Sequence, residues 1–143
     1  MANCDAAGER EKCGHWAAVA LPYFERHLKL HPDDEGKRVQ HAILLLWSGR
    51  TKEAYAAAMK LTNLKDGNSL YNTAFLFGKL GDPSEALRTF RKAIEAGFRS
   101  IRLLKEFLTD EKEGILTFQG TPEYEIVRQM VEKLSEPEPG LHG

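Results

Sequence analysis

The sequence has only two cysteines, Cys4 and Cys13, both close to its start. Two are too few for a disulfide framework, which makes a reducing compartment the simpler expectation. Long apolar runs are missing as well. The longest, "AILLLW" from Ala42 to Trp47, falls far short of the roughly 20 residues that a membrane span requires. The opening "MANCDAAGEREKCGHW" carries no apolar stretch of the kind a secretory signal needs. These absences predict a soluble, cytoplasmic protein with no membrane partner. Charge of one sign is also absent: the formal net charge is -1 over 143 residues. With no global basic field, the chain is not expected to recruit nucleic acid.

The devices of catalysis are missing too. There is no glycine-rich phosphate loop, because Gly78 and Gly81 fall at a helix end and a turn rather than between a strand and a helix. No G-x-S-x-G appears, and Cys13 and His15, two residues apart, face different ways on a helix. The acidic residues Asp110, Glu111 and Glu113 form a charge run of the solvated type. His27 and His31 stand at i, i+4 with Cys13 and His15 upstream, a spacing at which two imidazoles can share a zinc ion. Zinc wants about four N or S ligands, and no H-E-x-x-H or C-x-x-C completes the set. A small metal protein or enzyme built on these Cys and His residues is therefore the weaker alternative. His41 reads as a hydrogen-bonded core or edge residue. The expectation is no catalytic residue, no metal and no cofactor.

What the chain does have is helix punctuation. In "LGDPSEALRTFRKAIEAGF", Asp82 is placed to cap a helix and Pro83 sits at its first position. Glu85 can reach back to the cap. Ala86, Leu87, Phe90, Ala93 and Ile94 follow on one face, and Gly97 supplies a left-handed stop. Upstream, "NSLYNTAFLFGKLG" predicts a helix from about Asn68 to Leu80, apolar around most of its circumference. This pair has a predecessor. "RVQHAILLLWSGRTKEAYAAAMKL" aligns with it without a gap, bringing Gly49 onto Gly81, Ala54 onto Ala86, Ala42 onto Ala74 and Ala58 onto Phe90. Further back, "AVALPYFERHLKLHPDD" reads as the second helix of an earlier, partial unit. Pro22 is tolerated only in a first turn, so that helix is expected to begin near Ala17 or Ala18.

Self-similarity at this period, with two helices in each copy, points to an all-α helical solenoid. The pattern resembles the tetratricopeptide repeat: a small residue in the first helix, Gly at the turn, Ala early in the second helix and an aromatic four later. Ala74, Gly81, Ala86 and Phe90 fill those slots in the clearer copy. Ala42, Gly49, Ala54 and Ala58 fill them in the weaker one, and neither copy has the closing Pro. The segment from Gly97-Phe98 through Ile101 to Leu108, Leu116, Gly120, Pro122 and Tyr124 resembles the terminating unit of bacterial tetratricopeptide arrays. In "DEKEGIL", charged residues and Gly114 replace that unit's acidic, proline-containing turn. Thr121 and Pro122 would cap and open the last helix, whose Tyr124, Val127, Val131 and Leu134 can seal the end.

The resemblance implies a right-handed superhelix of about two and a half antiparallel helix pairs with a C-terminal capping helix. It implies a flexible segment at residues 1–14, a repeat domain at 15–134 with the terminating unit from about 98, and a flexible tail at 135–143. It also implies a non-catalytic adaptor that binds a peptide or protein segment in a concave groove. Family members of this type often accompany bacterial signalling enzymes or secretion and assembly machinery.

In such a stack the first helix of each pair lines the groove. That places Val39, Ile43 and Trp47 on one helix, and Tyr71, Phe75 and Lys79 on the next, at i, i+4, i+8. Aromatic side chains suit peptide recognition because they bury large area at low entropic cost. The same spacing equally describes a core stripe, and both placements stay open at this level. Asn72 occupies the slot from which the family's Asn can bond a ligand backbone or terminal carboxylate. Val39 and Ile43 stand where the clamp for acidic C-terminal peptides needs Lys and Asn, which argues against that ligand. Arg88, Arg91, Lys92, Arg99, Arg102 and Lys105 form a basic stretch opposite in sign to Glu123 through Glu138. It reads as solvated or intramolecularly paired before it reads as a docking patch. The remaining rival is a self-associating subunit, a homodimer formed by apolar surface on the truncated first unit.

Overall fold

In the computed structural model, residues 7–61, 63–109 and 115–135 are described. Among them are seven α-helices, one 3₁₀ turn and no strand: α1 (Ala7–Leu30), α2 (Glu35–Trp47), α3 (Thr51–Met59), α4 (Gly67–Lys79), α5 (Pro83–Glu95), α6 (Ile101–Leu108), the 3₁₀ turn Ile115–Phe118, and α7 (Pro122–Ser135). The expected all-α class is therefore met. The chain divides into two compact units, one ending at Lys65 and one beginning at Asp66.

In the first unit α1 packs on α2 and α2 on α3. Its core is built largely of small residues: Ala17, Ala42, Ala54 and Ala58 are buried together with Leu21, Val39, Leu44 and Leu45. Small side chains let helix axes approach closely, so buried area comes from proximity rather than bulk. The first helix starts ten residues earlier than expected and holds Pro22 in its interior. Proline there removes one hydrogen bond, the one that would reach the Ala18 carbonyl. Ala18 and Pro22 both lie on the exposed side, where water can take the place of the missing donor, so the helix survives the insult.

The second unit packs α4 along α5 and closes α7 against α5 and α6. Its core is bulkier: Phe90, Leu76, Leu87, Leu104, Ile115 and Val127 are fully buried. Thr121 takes the capping role expected of it, its Oγ1 accepting from the Tyr124 N–H at 3.4 Å. Tyr124 then donates to the Leu108 carbonyl at 2.8 Å, tying α7 to the end of α6. Tyr124, Val127 and Val131 are buried and Leu134 is half-buried.

The internal repeat is visible in the backbone of each unit. The start and end of α2 recur 32 residues later in α4, and the start of α3 recurs at the same offset in α5. Asp34 caps α2 by accepting from the Lys37 N–H, and Asp66 caps α4 by accepting from the Ser69 N–H. Both turns close alike. The N–H groups of Gly49 and Arg50 return to the Leu46 and Leu45 carbonyls, and those of Gly81 and Asp82 to the Gly78 and Phe77 carbonyls. Gly49 and Gly81 carry φ of +85° and +81°. That left-handed region is open to glycine without the clash a Cβ brings. The predicted reciprocal cap at α5 forms only in one direction. Asp82 accepts from the Glu85 N–H at 3.2 Å, whereas the Glu85 carboxylate pairs with Arg88 at 2.7 Å. A carboxylate beside a guanidinium gains a charge-assisted bond that the amide of Asp82, already bonded to Phe77, does not offer.

Candidate functional site

The residues expected to line a groove divide between the two units. In the first, Val39 and Ile43 point into the core and are buried. Trp47 is half-buried at the end of α2, and its Nε1 is sealed from solvent without a partner among the described residues. Gly14 of α1 approaches here so closely that a Cβ would lie 3.1 Å from the Trp47 carbonyl oxygen. This part of the set is packing.

In the second unit the picture changes. Tyr71 is half-buried and its ring lies flat on Phe98, with centroids 4.4 Å apart and planes 2° from parallel. Phe90 and Phe107, themselves stacked at 4.1 Å, flank it at 6.4 and 6.3 Å. Such offset aromatic packing contributes about 0.5–1.5 kcal/mol per pair beyond area burial. Burial first, and the nearby Glu106 carboxylate second, raise the Tyr71 hydroxyl above its ordinary pKa, while Arg102 opposes them. The phenol therefore stays a neutral donor at any physiological pH. One turn on, Phe75 is 38% exposed, and the Lys79 ammonium stands 5.2 Å from its ring centroid. Asn72 is exposed on the same helix. The outcome on α4 is a stacked aromatic floor next to an accessible ring, an amide and a cation.

The sequence reading did not foresee Phe98 and Phe107 as the support for Tyr71. Phe98 stood out only as part of the Gly-Phe pair after α5. Its contact follows from the left-handed Gly97, φ +109°, which turns the chain back across the start of α4. Gly67 marks the approach: a Cβ there would meet the Phe98 nitrogen at 2.8 Å.

The basic stretch is largely absorbed within the unit. Arg91 reaches Glu123 of α7 at 3.3 Å, Arg102 pairs with Glu106 at 3.0 Å, and Arg99 donates to the Ile94 and Phe98 carbonyls at 2.8 and 3.0 Å. Intramolecular pairing, rather than a free basic surface, is the arrangement at these arginines.

The histidines lie in the first unit. His27 Nε2 donates to Asp34 Oδ2 at 2.7 Å, and the His31 ring sits 4.9 Å from that of His27. The hydrogen bond from His27, then the one from the Lys37 N–H, holds the Asp34 carboxyl below its usual range. Asp34 thus joins the end of α1 to the start of α2. His15 is exposed, and His41 is half-buried with Nε2 3.7 Å from Glu25. Among the described residues no three His, Cys, Asp or Glu side chains are placed to share an ion. Cys13 is buried and disulfide-bonded, contrary to the expectation of reduced thiols; Cys4 lies outside the described residues. The acidic run at 110–114 and the tail at 136–143 also lie outside them. Among the described residues no helix is long and apolar enough to cross a membrane. Comparison with known protein families, curated proteins and solved structures finds no match to this chain.

Proposed function

We propose that this protein is a non-catalytic interaction module of tetratricopeptide type, an adaptor whose α4 face in the second unit takes a peptide or protein segment. The observation that carries the reading is the pairing of an exposed Phe75 and Asn72 with a Tyr71 that is held rigid on Phe98. A ring fixed before binding loses little entropy on contact, and an exposed ring and amide beside it supply area and direction. The recurrence of caps, turns and buried alanines at an offset of 32 residues supports the repeat-type reading.

The test is selection of a random peptide library on the folded protein, followed by titration of enriched peptides. Phe75→Ala and Asn72→Ala should each weaken such peptides at least tenfold while leaving the far-UV circular dichroism unchanged. Tyr71→Ala is the wrong variant, since it would remove a stacking partner of Phe98 and confuse folding with binding. Peptides whose affinity is indifferent to both Phe75 and Asn72 would refute the site.

A further inference from the structure

The longest helix carries two faces. Cys13, Ala17 and Leu21 of α1 turn inward and are buried, whereas Trp16, Val19, Tyr23 and Leu30 stand 59, 56, 65 and 78% exposed. Their positions, i, i+3, i+7 and i+14, form one stripe along the helix. Arg26 completes it, laying its guanidinium 5.2 Å from the Tyr23 ring centroid. At the C-terminal end of the stripe a hollow of ≈ 590 Å³ opens, lined by His27, Leu30, His31, Pro32, Asp33 and Asp34.

We infer that this stripe is the contact between two copies of the chain, crossing antiparallel at Tyr23. The argument is self-complementarity. Trp16 lies seven residues before Tyr23 and Leu30 seven after, each about 10 Å along the axis. A twofold axis at Tyr23 therefore sets each Trp16 over the partner copy's hollow, a knob and a hole on one face of one helix, as an isologous interface requires. The area agrees. The four exposed side chains offer about 500 Å² per copy, at the upper end of what a monomer leaves bare. Mating two stripes, with the stems of Arg26 and Lys29 at the margin, removes about 1,000 Å² from water, the lower bound of what a specific dimer needs. Charge does not favour a lipid surface instead. On α1, Glu9, Glu11 and Glu25 offset most of Arg10, Lys12, Arg26 and Lys29, so the helix lacks the basic excess that draws amphipathic helices to anionic membranes. The inference is independent of any ligand on α4.

Sedimentation equilibrium of the full chain, from about micromolar to several hundred micromolar, reads it directly. The expected result is a shift from 16.1 kDa toward twice that mass. Trp16→Asp and Leu30→Asp should each raise the dimer dissociation constant at least tenfold with unchanged circular dichroism. Ile126→Asp, at another exposed apolar residue, should leave it alone. Tyr23→Cys should yield a covalent dimer under mild oxidation, since the residue sits on the twofold axis. A wild-type chain that stays monomeric throughout overturns the inference, and so does a dimer indifferent to both aspartates. A monomer that instead floats with phosphatidylserine-containing vesicles, losing that ability in Leu30→Asp, overturns it in favour of a membrane.

Discussion

At Phe90 and Ala58 the same repeat slot is filled in two ways, and both are buried. Phe90 stacks on Phe107 and flanks Tyr71, so its removal opens a cavity that rigid rings cannot close. Phe90→Ala should destabilise the second unit by about 3–5 kcal/mol, read as a lowered urea midpoint with the slope unchanged. Two glycines should respond in opposite senses to alanine. At Gly67 the obstacle is the Phe98 backbone at 2.8 Å, which must shift, and Gly67→Ala should lose about 1–3 kcal/mol. At Gly36 the nearest atom is 3.9 Å away and the position is an exposed first turn, so Gly36→Ala should gain about 0.4–1 kcal/mol. Thermal melts of the two variants check both signs.

The elements are held by their ends. The start of α2 depends on Asp34, which accepts from the Lys37 N–H at 3.2 Å and from His27 at 2.7 Å. Both bonds favour the ionised carboxyl, so its folded-state pKa lies below the ordinary 3.8. A depressed carboxyl contributes stability that is present above the unfolded pKa and is lost as the pH falls through the folded value. Wild type should therefore lose stability to acid more steeply than Asp34→Asn as the pH falls below about 4. Urea midpoints across that range measure the difference. Equal slopes would mean that the bond to His27 does not persist in solution. The exposed stripe of α1 belongs to the same scale. Its spacing was present in the letters, yet it became one continuous face only because the helix runs through Pro22 from Ala7.

At the scale of the molecule the two units differ in what fills them. The first relies on alanines at close range, and the second on Phe90, Leu76, Leu87 and Leu104. Bulk buried per residue is greater in the second, so its amides should open less often. Hydrogen exchange should show the slowest amides in α4 and α5 and faster ones in α2 and α3. The reverse order would contradict the assignment of the larger core.

Several features could be read from the letters, because they depend on contacts a few residues apart. The caps at Asp82 and Thr121, the glycine stops at positions 49, 81 and 97, the periods of α4 and α5, and the 32-residue recurrence are of this kind. Each is set by local sterics and by a helix's own need to satisfy its end groups. Other features rest on contacts between residues far apart in the chain. Val39 and Ile43 went to the core while Phe75, carrying the same periodic signal, stayed exposed. Phe98 came to rest beneath Tyr71, and Glu85 turned to Arg88 instead of its cap. A helical period says that apolar side chains share a face. Which neighbour covers that face, and which length of it is left for another molecule, depends on where distant segments pack.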